Sequence, residues 1–383
     1  MLTIETVAHP VIFEFNSVAA EMRRQGRPVY NLGQAVPDFA PDAGLMKQVF
    51  SEPGRLDSYT PDEGFSGLRQ AVCDKILGPD GARYNPDTEI IITAGANHAY
   101  FLAVCALTDP GDEVIVFTPG YFNHRMTLDL LNRRAVEVPL LETDSWALDT
   151  GAFLRALAPR VKAVTLVNPN NPTGSVFARE SVELIARECA ARGIWLISDE
   201  VYDRYCHDVP HFRPASVCRE HTVTLGSFSK SLGLMGWRTG YIAAPRAVIA
   251  QAIKAQDTTV VCAPNAGQAA AELLIKNEAW PSKKYLESIK SRREILRAGL
   301  AGIDRLHWRD PQGAMFAAVK INSPFTAHET ALRLLKEKGV ITIPCEAFGK
   351  GGENHLRMSF GCLRPQQIRD ACGLAGDFFK NLD

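Results

Sequence analysis

The stretch Thr222-Val223-Thr224-Leu225-Gly226-Ser227-Phe228-Ser229-Lys230 decides how the rest of the chain is read. Thr222–Gly226 has the β-branched, apolar make-up of a buried strand. The four residues after it place two hydroxyls, a ring and an amine where that strand stops. A lysine after a strand, standing alone, reads as a solvated surface residue. Here Gly233-Leu234-Met235-Gly236-Trp237-Arg238-Thr239-Gly240-Tyr241 follows at once, so glycines and an arginine gather around Lys230. A partly desolvated amine loses basicity and becomes nucleophilic. An arginine can clamp a phosphate in bidentate fashion.

Working outward, short β-rich runs alternate with helical patterns from about Arg83 to Pro245. The expected strands are Glu89–Thr93, Glu113–Phe117, Val136–Pro139, Ala163–Val167, Ile194–Ser198, Thr222–Gly226 and Thr239–Ala243. Several are unbroken apolar runs, as strands buried on both faces require. Asn97–Leu107 and Glu180–Arg192 read as helices between them. This alternation predicts an α/β fold with a mostly parallel central sheet covered by helices. The flanks differ. Ile12–Gln25 and Ser282–Gly302 read as helices, followed by Phe316–Ile321, a helix near Thr330–Lys338, Ile341–Ile343, Leu356–Phe360 and a closing helix. The domain expectation is a large unit over 46–282 and a smaller α+β unit from both chain ends, 1–45 and 283–383.

In open α/β sheets ligands gather at the carboxyl ends of strands. Besides Lys230, three polar clusters fall there. Asp199 follows Ile194–Ser198, with Tyr202 three residues on. A carboxylate at a buried strand end needs a cation or donor; alone it reads as a helix N-cap. Asn168-Pro169-Asn170-Asn171-Pro172-Thr173-Gly174 follows Ala163–Val167, a rigid turn able to aim the Asn171 amide, or simply a tight loop. Thr93-Ala94-Gly95-Ala96-Asn97 opens a helix whose first N–H groups can approach an anion. Tyr121, after Glu113–Phe117, can stack on a planar ring or pack in the core.

Composition excludes several classes. Hydrophobic residues make up 46 % and charged residues 22 %, ordinary for a globular protein. The net charge of −1 provides no field for nucleic acid or an anionic membrane. No apolar run reaches the ~18 residues a membrane span needs. Met1–Pro10 contains Glu5 and lacks a basic start before an apolar run, so no signal peptide is expected. The nine cysteines form no CxxC pair, pointing to reduced thiols in a cytoplasm and no metal site. His207 and His211 are four apart, but Pro210 lies between them and a surface loop is expected.

Taken in order, these clusters resemble the fold-type I enzymes dependent on pyridoxal 5′-phosphate (PLP), and within them the class I/II aminotransferases. The resemblance runs from Asn31-Leu32-Gly33-Gln34-Ala35-Val36-Pro37-Asp38-Phe39 through Tyr59 and Gly64-Phe65-Ser66-Gly67-Leu68-Arg69 to Leu356-Arg357-Met358-Ser359-Phe360. Asn170–Gly174, Asp199–Tyr202, Ser227–Lys230 and Gly236–Tyr241 are its most specific parts. Thr93–Tyr100 is also similar to aminotransferases of aromatic amino acids and methionine.

The resemblance implies roles. Lys230 would carry PLP as a Schiff base and shuttle a proton, with Asp199 on the pyridine nitrogen and Tyr202 and Asn171 on the phenolic oxygen. Lys230, Asp199 and Tyr202 form the implied catalytic set. Tyr121 would stack on the ring. Gly95, Ala96, Asn97, Ser227, Ser229 and Arg238 would hold the phosphate end, with Tyr59 reaching it from the neighbouring subunit of a homodimer. Arg357 would grip the substrate α-carboxylate, with Gly33 and Asn171 beside it. The implied reaction is ping-pong transfer of an α-amino group from an L-amino acid, neutral or aromatic, to a 2-oxo acid. A PLP-dependent lyase, cyclase or oxidase on the same scaffold is the alternative. A regulatory PLP-fold binder would need a DNA-binding module, and no basic extension is present. Three positions depart from the family's pattern. Ala35 and Cys345 stand where glycines are common, and Asn97 stands where aspartate-specific relatives carry lysine.

Overall fold

Runs such as Ile90-Ile91-Ile92 and Val114-Ile115-Val116 can bury both faces only if helices cover both sides of their sheet. The computed structural model, which describes residues 3–51, 53–281 and 283–382, has that arrangement. In chain order the strands are β1 (Tyr30–Asn31), β2 (Ile90–Thr93), β3 (Glu113–Thr118), β4 (Arg134–Pro139), β5 (Val161–Val167), β6 (Trp195–Asp199), β7 (Thr222–Ser227), β8 (Gly240–Ala243), β9 (Leu306–His307), β10 (Phe316–Ile321), β11 (Val340–Ile341), β12 (Ile343–Pro344) and β13 (His355–Ser359). Seven make the central sheet, in the order β2-β8-β7-β6-β5-β3-β4. All run parallel except β8, which is antiparallel to both neighbours. The seven expected strands are all present, with ends moved by one or two residues.

The two-residue period sorts side chains to opposite layers. Ile91 packs with Ala99, Tyr100 and Leu102 of the helix Ala96–Leu107. Ile90 and Ile92 face the other way, onto Leu68, Ala270 and Leu274. The sheet is thus sealed above and below, and its polar groups emerge at its carboxyl edge.

Segments near the two chain ends pair with each other. β1 pairs in parallel with β11, Tyr30 opposite Val340 and Asn31 opposite Ile341. An antiparallel sheet, β12-β13-β10-β9, lies beside them. The expected strand Ile341–Ile343 is divided: β11 joins β1, and beyond Thr342 β12 joins β13. One apolar run serves two sheets, which periodicity alone does not reveal. The expected Thr330–Lys338 helix begins earlier, at Ala327, because Thr326 and Glu329 form a reciprocal capping box. Lys283–Leu300 takes the place expected for Ser282–Gly302; Ser282 itself lies outside the described residues.

One expectation holds only in part. The His207–His211 segment is a loop with Asp208 and Pro210 exposed, but its histidines do not point to solvent. The His211 side chain is 8 % exposed, with Nε2 3.3 Å from Glu200 Oε2. The carboxylate of Glu200 also meets Arg213, which reaches Asp80 at 3.0 Å and Asp203 at 3.4 Å. Buried charges persist only when partnered in this way, and such long-range pairing leaves no trace in local spacing.

Candidate active site

A cavity of about 330 Å³ opens between the carboxyl edge of the central sheet, the helix Val11–Arg24 and strand β13. Lys230 enters it from the helical turn Phe228–Ser231 that follows β7. That turn is tied down at three points. Ser227 Oγ accepts the Ser229 N–H at 3.1 Å, Ser231 Oγ donates to Ser227 O at 3.0 Å, and Tyr205 OH donates to Lys230 O at 2.8 Å. No hydrogen bond or ion pair among the described residues holds the Lys230 amine. Burial, with the cations of Arg357 and Arg238 adding repulsion, lowers its pKa from 10.5 to about 8.

Asp199 ends β6 and lines the same cavity. Its Oδ1 accepts the Val201 N–H at 3.2 Å, so the local turn role is real. Its Oδ2 lies 3.1 Å from His124 Nε2, with both side chains nearly buried. His124 is stacked on Tyr100, ring centroids 3.9 Å apart, and the Tyr100 hydroxyl is 3.0 Å from Thr165 Oγ1. The carboxylate therefore has a held donor on one side and faces the cavity on the other.

Asn171 comes from a locked turn. Asn168 Oδ1 accepts the Phe177 N–H at 3.0 Å and Asn170 Nδ2 donates to Pro119 O at 3.1 Å. Gly174 closes the turn at φ +74°, where a Cβ would sit 2.6 Å from Phe316 O. Asn171 Oδ1 accepts from Arg357 Nη1 at 2.8 Å, and Gly33 O accepts from Arg357 Nη2 at 2.7 Å. Arg357 Nε is buried without a partner. Burial pulls the guanidinium pKa below its ordinary value, and Phe316 and Phe348 present ring faces 5.2 Å away. A buried arginine with an orphaned donor beside a cavity is built to receive an anion. Tyr202 is buried edge-on to Phe316, and burial raises its phenol.

The other predicted groups converge on the opposite end. Gly95, at φ +86°, turns the chain from β2 into the helix Ala96–Leu107, and a Cβ there would strike the Arg238 guanidinium. Ala96, Asn97, Ser227, Ser229 and Arg238 all line the cavity around that helix start. Tyr121 lines it too, edge-on to His124 at 5.3 Å. Tyr59 does not. It is 83 % exposed and borders a separate surface groove with Ala94, Cys262 and Asn265.

Two groups of residues at the site were not foreseen: one behind Asp199, the other in the cavity lining. His124 carries no signal in the sequence, because its alignment with Asp199 depends on how β3 and β6 sit in the sheet. Ile12, Phe15, Val36 and Ile341 form an apolar outer wall with Asn16 and Gln34 at its rim. Of the departures, Ala35 is buried in the cavity wall. Cys345 is fully buried near Arg357, and burial raises its thiol.

This combination of a mostly parallel sheet, a half-buried lysine at a strand end and a paired carboxylate in the same cavity is the fold-type I architecture. Residues 27–373 match the family of class I and II aminotransferases, and the chain belongs to it. It is an aminotransferase. It is 32 % identical to the aspartate/prephenate aminotransferase of Thermus thermophilus over 90 % of each chain. It is 31 % identical to an aromatic aminotransferase of Arabidopsis thaliana over 94 % of this chain and 91 % of that one. The solved aspartate aminotransferase from Thermus thermophilus with maleate superposes with a TM-score of 0.92 at 29 % identity, covering 98 % of both chains. An aromatic aminotransferase from Pyrococcus horikoshii gives 0.86 at 27 % identity, covering 94 % and 98 %.

Proposed function

We propose that this aminotransferase uses pyridoxal 5′-phosphate bound through Lys230. The observation that carries the reading is the Lys230 amine, without a hydrogen-bond partner among the described residues, in one cavity with Asp199, which His124 pairs from behind, and with Arg357, whose Nε is orphaned. PLP, when bound, supplies an electron sink for negative charge at the substrate Cα. The residues fit that group. Asp199, held in place by His124, would offer a buried carboxylate to a ring nitrogen and keep it protonated. Tyr121 would stack on the ring, while Tyr202 and Asn171 would donate to its phenolic oxygen. Arg238, Ser227, Ser229 and the amides following Gly95 would take the phosphate. Arg357 pairs with the substrate α-carboxylate, which brings Cα within reach of Lys230 for proton transfer. The Gly33 carbonyl braces the Arg357 guanidinium through Nη2.

The reaction is a ping-pong exchange. An L-amino acid leaves as its 2-oxo acid before a second oxo acid enters the same cavity. Neutral or aromatic donors are favoured. The cations lining the cavity among the described residues are Lys230, Arg238 and Arg357, each already committed, and the outer wall is apolar. Asn97 offers no charge to a side-chain carboxylate.

The chain divides into a large domain, 46–282, and a small domain of 1–45 with 283–383, which the β1–β11 pairing holds together. The working form is a homodimer in which exposed Tyr59 would reach the phosphate of the partner's site; its exposure and its absence from the lining of its own cavity support this. No helix among the described residues is long and apolar enough to cross a membrane. With nine unbridged cysteines, we place the enzyme in the cytoplasm.

Borohydride reduction followed by peptide mapping tests the cofactor reading: the adduct belongs on Lys230, and an adduct on another lysine would sink it. A panel of amino donors, with 2-oxo acid and ammonia both measured, tests the reaction. Stoichiometric oxo acid without ammonia is expected, fastest with aromatic or neutral donors.

A further inference from the structure

Behind the cavity lies an imidazole that none of these roles uses. His98 stands in the first turn of the helix Ala96–Leu107 and folds back over the turn before it. Its Nδ1 accepts the Ala94 N–H at 3.2 Å, and its Nε2 lies 3.1 Å from Thr259 Oγ1. A backbone N–H can only donate, so Nδ1 carries no proton. Thr259 Oγ1 already donates within its own helix, to Ala255 O at 2.9 Å, and so accepts from Nε2. The partners therefore admit one form of the ring, neutral with its proton on Nε2. Burial favours the same form and lowers the His98 pKa to about 4.

The two ends of this strut matter. Ala94 precedes Gly95, the pivot packed against Arg238, and the next amides belong to Ala96 and Asn97 at the cavity edge. Thr259 is near the end of the helix Arg246–Val260, where Val260 and Cys262 share a groove with Tyr59 and Ala94. One imidazole thus ties the anion-facing turn to a neighbouring helix.

We propose that His98 is a positioning residue for the cofactor's phosphate, a neutral strut that fixes the Ala94–Gly95 turn, and with it the Ala96 and Asn97 amides, against Thr259. The proposal rests on the reading that the cavity binds PLP. His98 touches neither cofactor nor substrate and acts through the turn alone.

The test is PLP affinity, measured by titrating apo-protein and by the rate of PLP release on dilution, for His98→Ala, His98→Asn and His98→Gln. The Asn amide oxygen reproduces the Nδ1 acceptor. The Gln amide nitrogen reproduces only the Nε2 donor. His98→Ala is expected to weaken PLP binding roughly tenfold to a hundredfold, the effect of leaving a held N–H without an acceptor. His98→Asn is expected to recover affinity to within about threefold of the parent, and His98→Gln to stay weak. A loss in His98→Ala smaller than about twofold would overturn the proposal. So would equal affinities of the Asn and Gln variants, a comparison that decides the matter even if the Ala variant does not fold. Failure of the parent protein to be labelled at Lys230 is a separate result: it removes the cofactor reading itself.

Discussion

His124 Nε2 lies 3.1 Å from Asp199 Oδ2, and the His124 ring is stacked on Tyr100 at 3.9 Å. The imidazole is therefore held by a ring on one side while it holds a carboxylate on the other. Asp199→Asn keeps the shape and removes the charge; kcat is expected to fall by about 10³ or more, a loss typical of removing a charge aimed at the reacting group. His124→Phe keeps the stacking and removes the contact, with an expected fall of roughly tenfold. Steady-state kinetics at saturating PLP measure both. A larger loss for His124→Phe than for Asp199→Asn would reverse the order of importance argued from the geometry.

Lys230 gives the apo-enzyme a distinctive pH dependence. Its folded pKa of about 8 lies below the 10.5 of an exposed lysine. Between these values the unfolded chain holds a proton that the folded chain does not, so stability rises with pH through that window. Below about pH 8 both states are protonated and the cost of burying the ammonium is fully present. Lys230→Met is expected to abolish turnover, to stabilise the apo-protein at pH 7 by on the order of 1–3 kcal/mol, and to flatten its Tm-versus-pH curve above pH 8. Parallel curves for the parent and the variant would contradict the burial argument.

Arg357 is braced by Asn171 and Gly33, with Nε left over. Arg357→Ala is expected to raise KM for amino acids and oxo acids alike by roughly a hundredfold, with kcat falling less. Arg357→Lys recovers charge but not the fork and should recover only part of the affinity. An amine lacking the α-carboxylate should be indifferent to both changes. Equal sensitivity would remove the assigned role.

Arg213 tests stability without touching the cavity. It is 1 % exposed and compensates Glu200, itself 1 % exposed, together with Asp80 and Asp203. Arg213→Ala leaves these carboxylates short of a cation and is expected to cost about 3–5 kcal/mol. Denaturant unfolding of the apo-protein measures it. A cost below about 1 kcal/mol would mean that Ser198 and His211 suffice for Glu200.

Much of this enzyme was legible in one dimension. Lys230, Asp199 and Asn171 could be found because the chemistry of a parallel sheet collects at strand ends, and strand ends are local features: an apolar run stops and polar residues follow. The seven strands of the central sheet were legible for the same reason, since burial on both faces leaves an unbroken apolar signature. Other features depend on which distant segments become neighbours. The division of the run around Thr342 between two sheets depends on where β1 and β13 lie. The Tyr100 stacking that holds His124 at Asp199, the three carboxylates gathered by Arg213, and the His98–Thr259 end of the strut all join segments whose separation in the chain carries no period. Hydrophobic burial is written into local pattern. Hydrogen bonds and ion pairs between elements are set by packing, and so become visible only once the chain is folded.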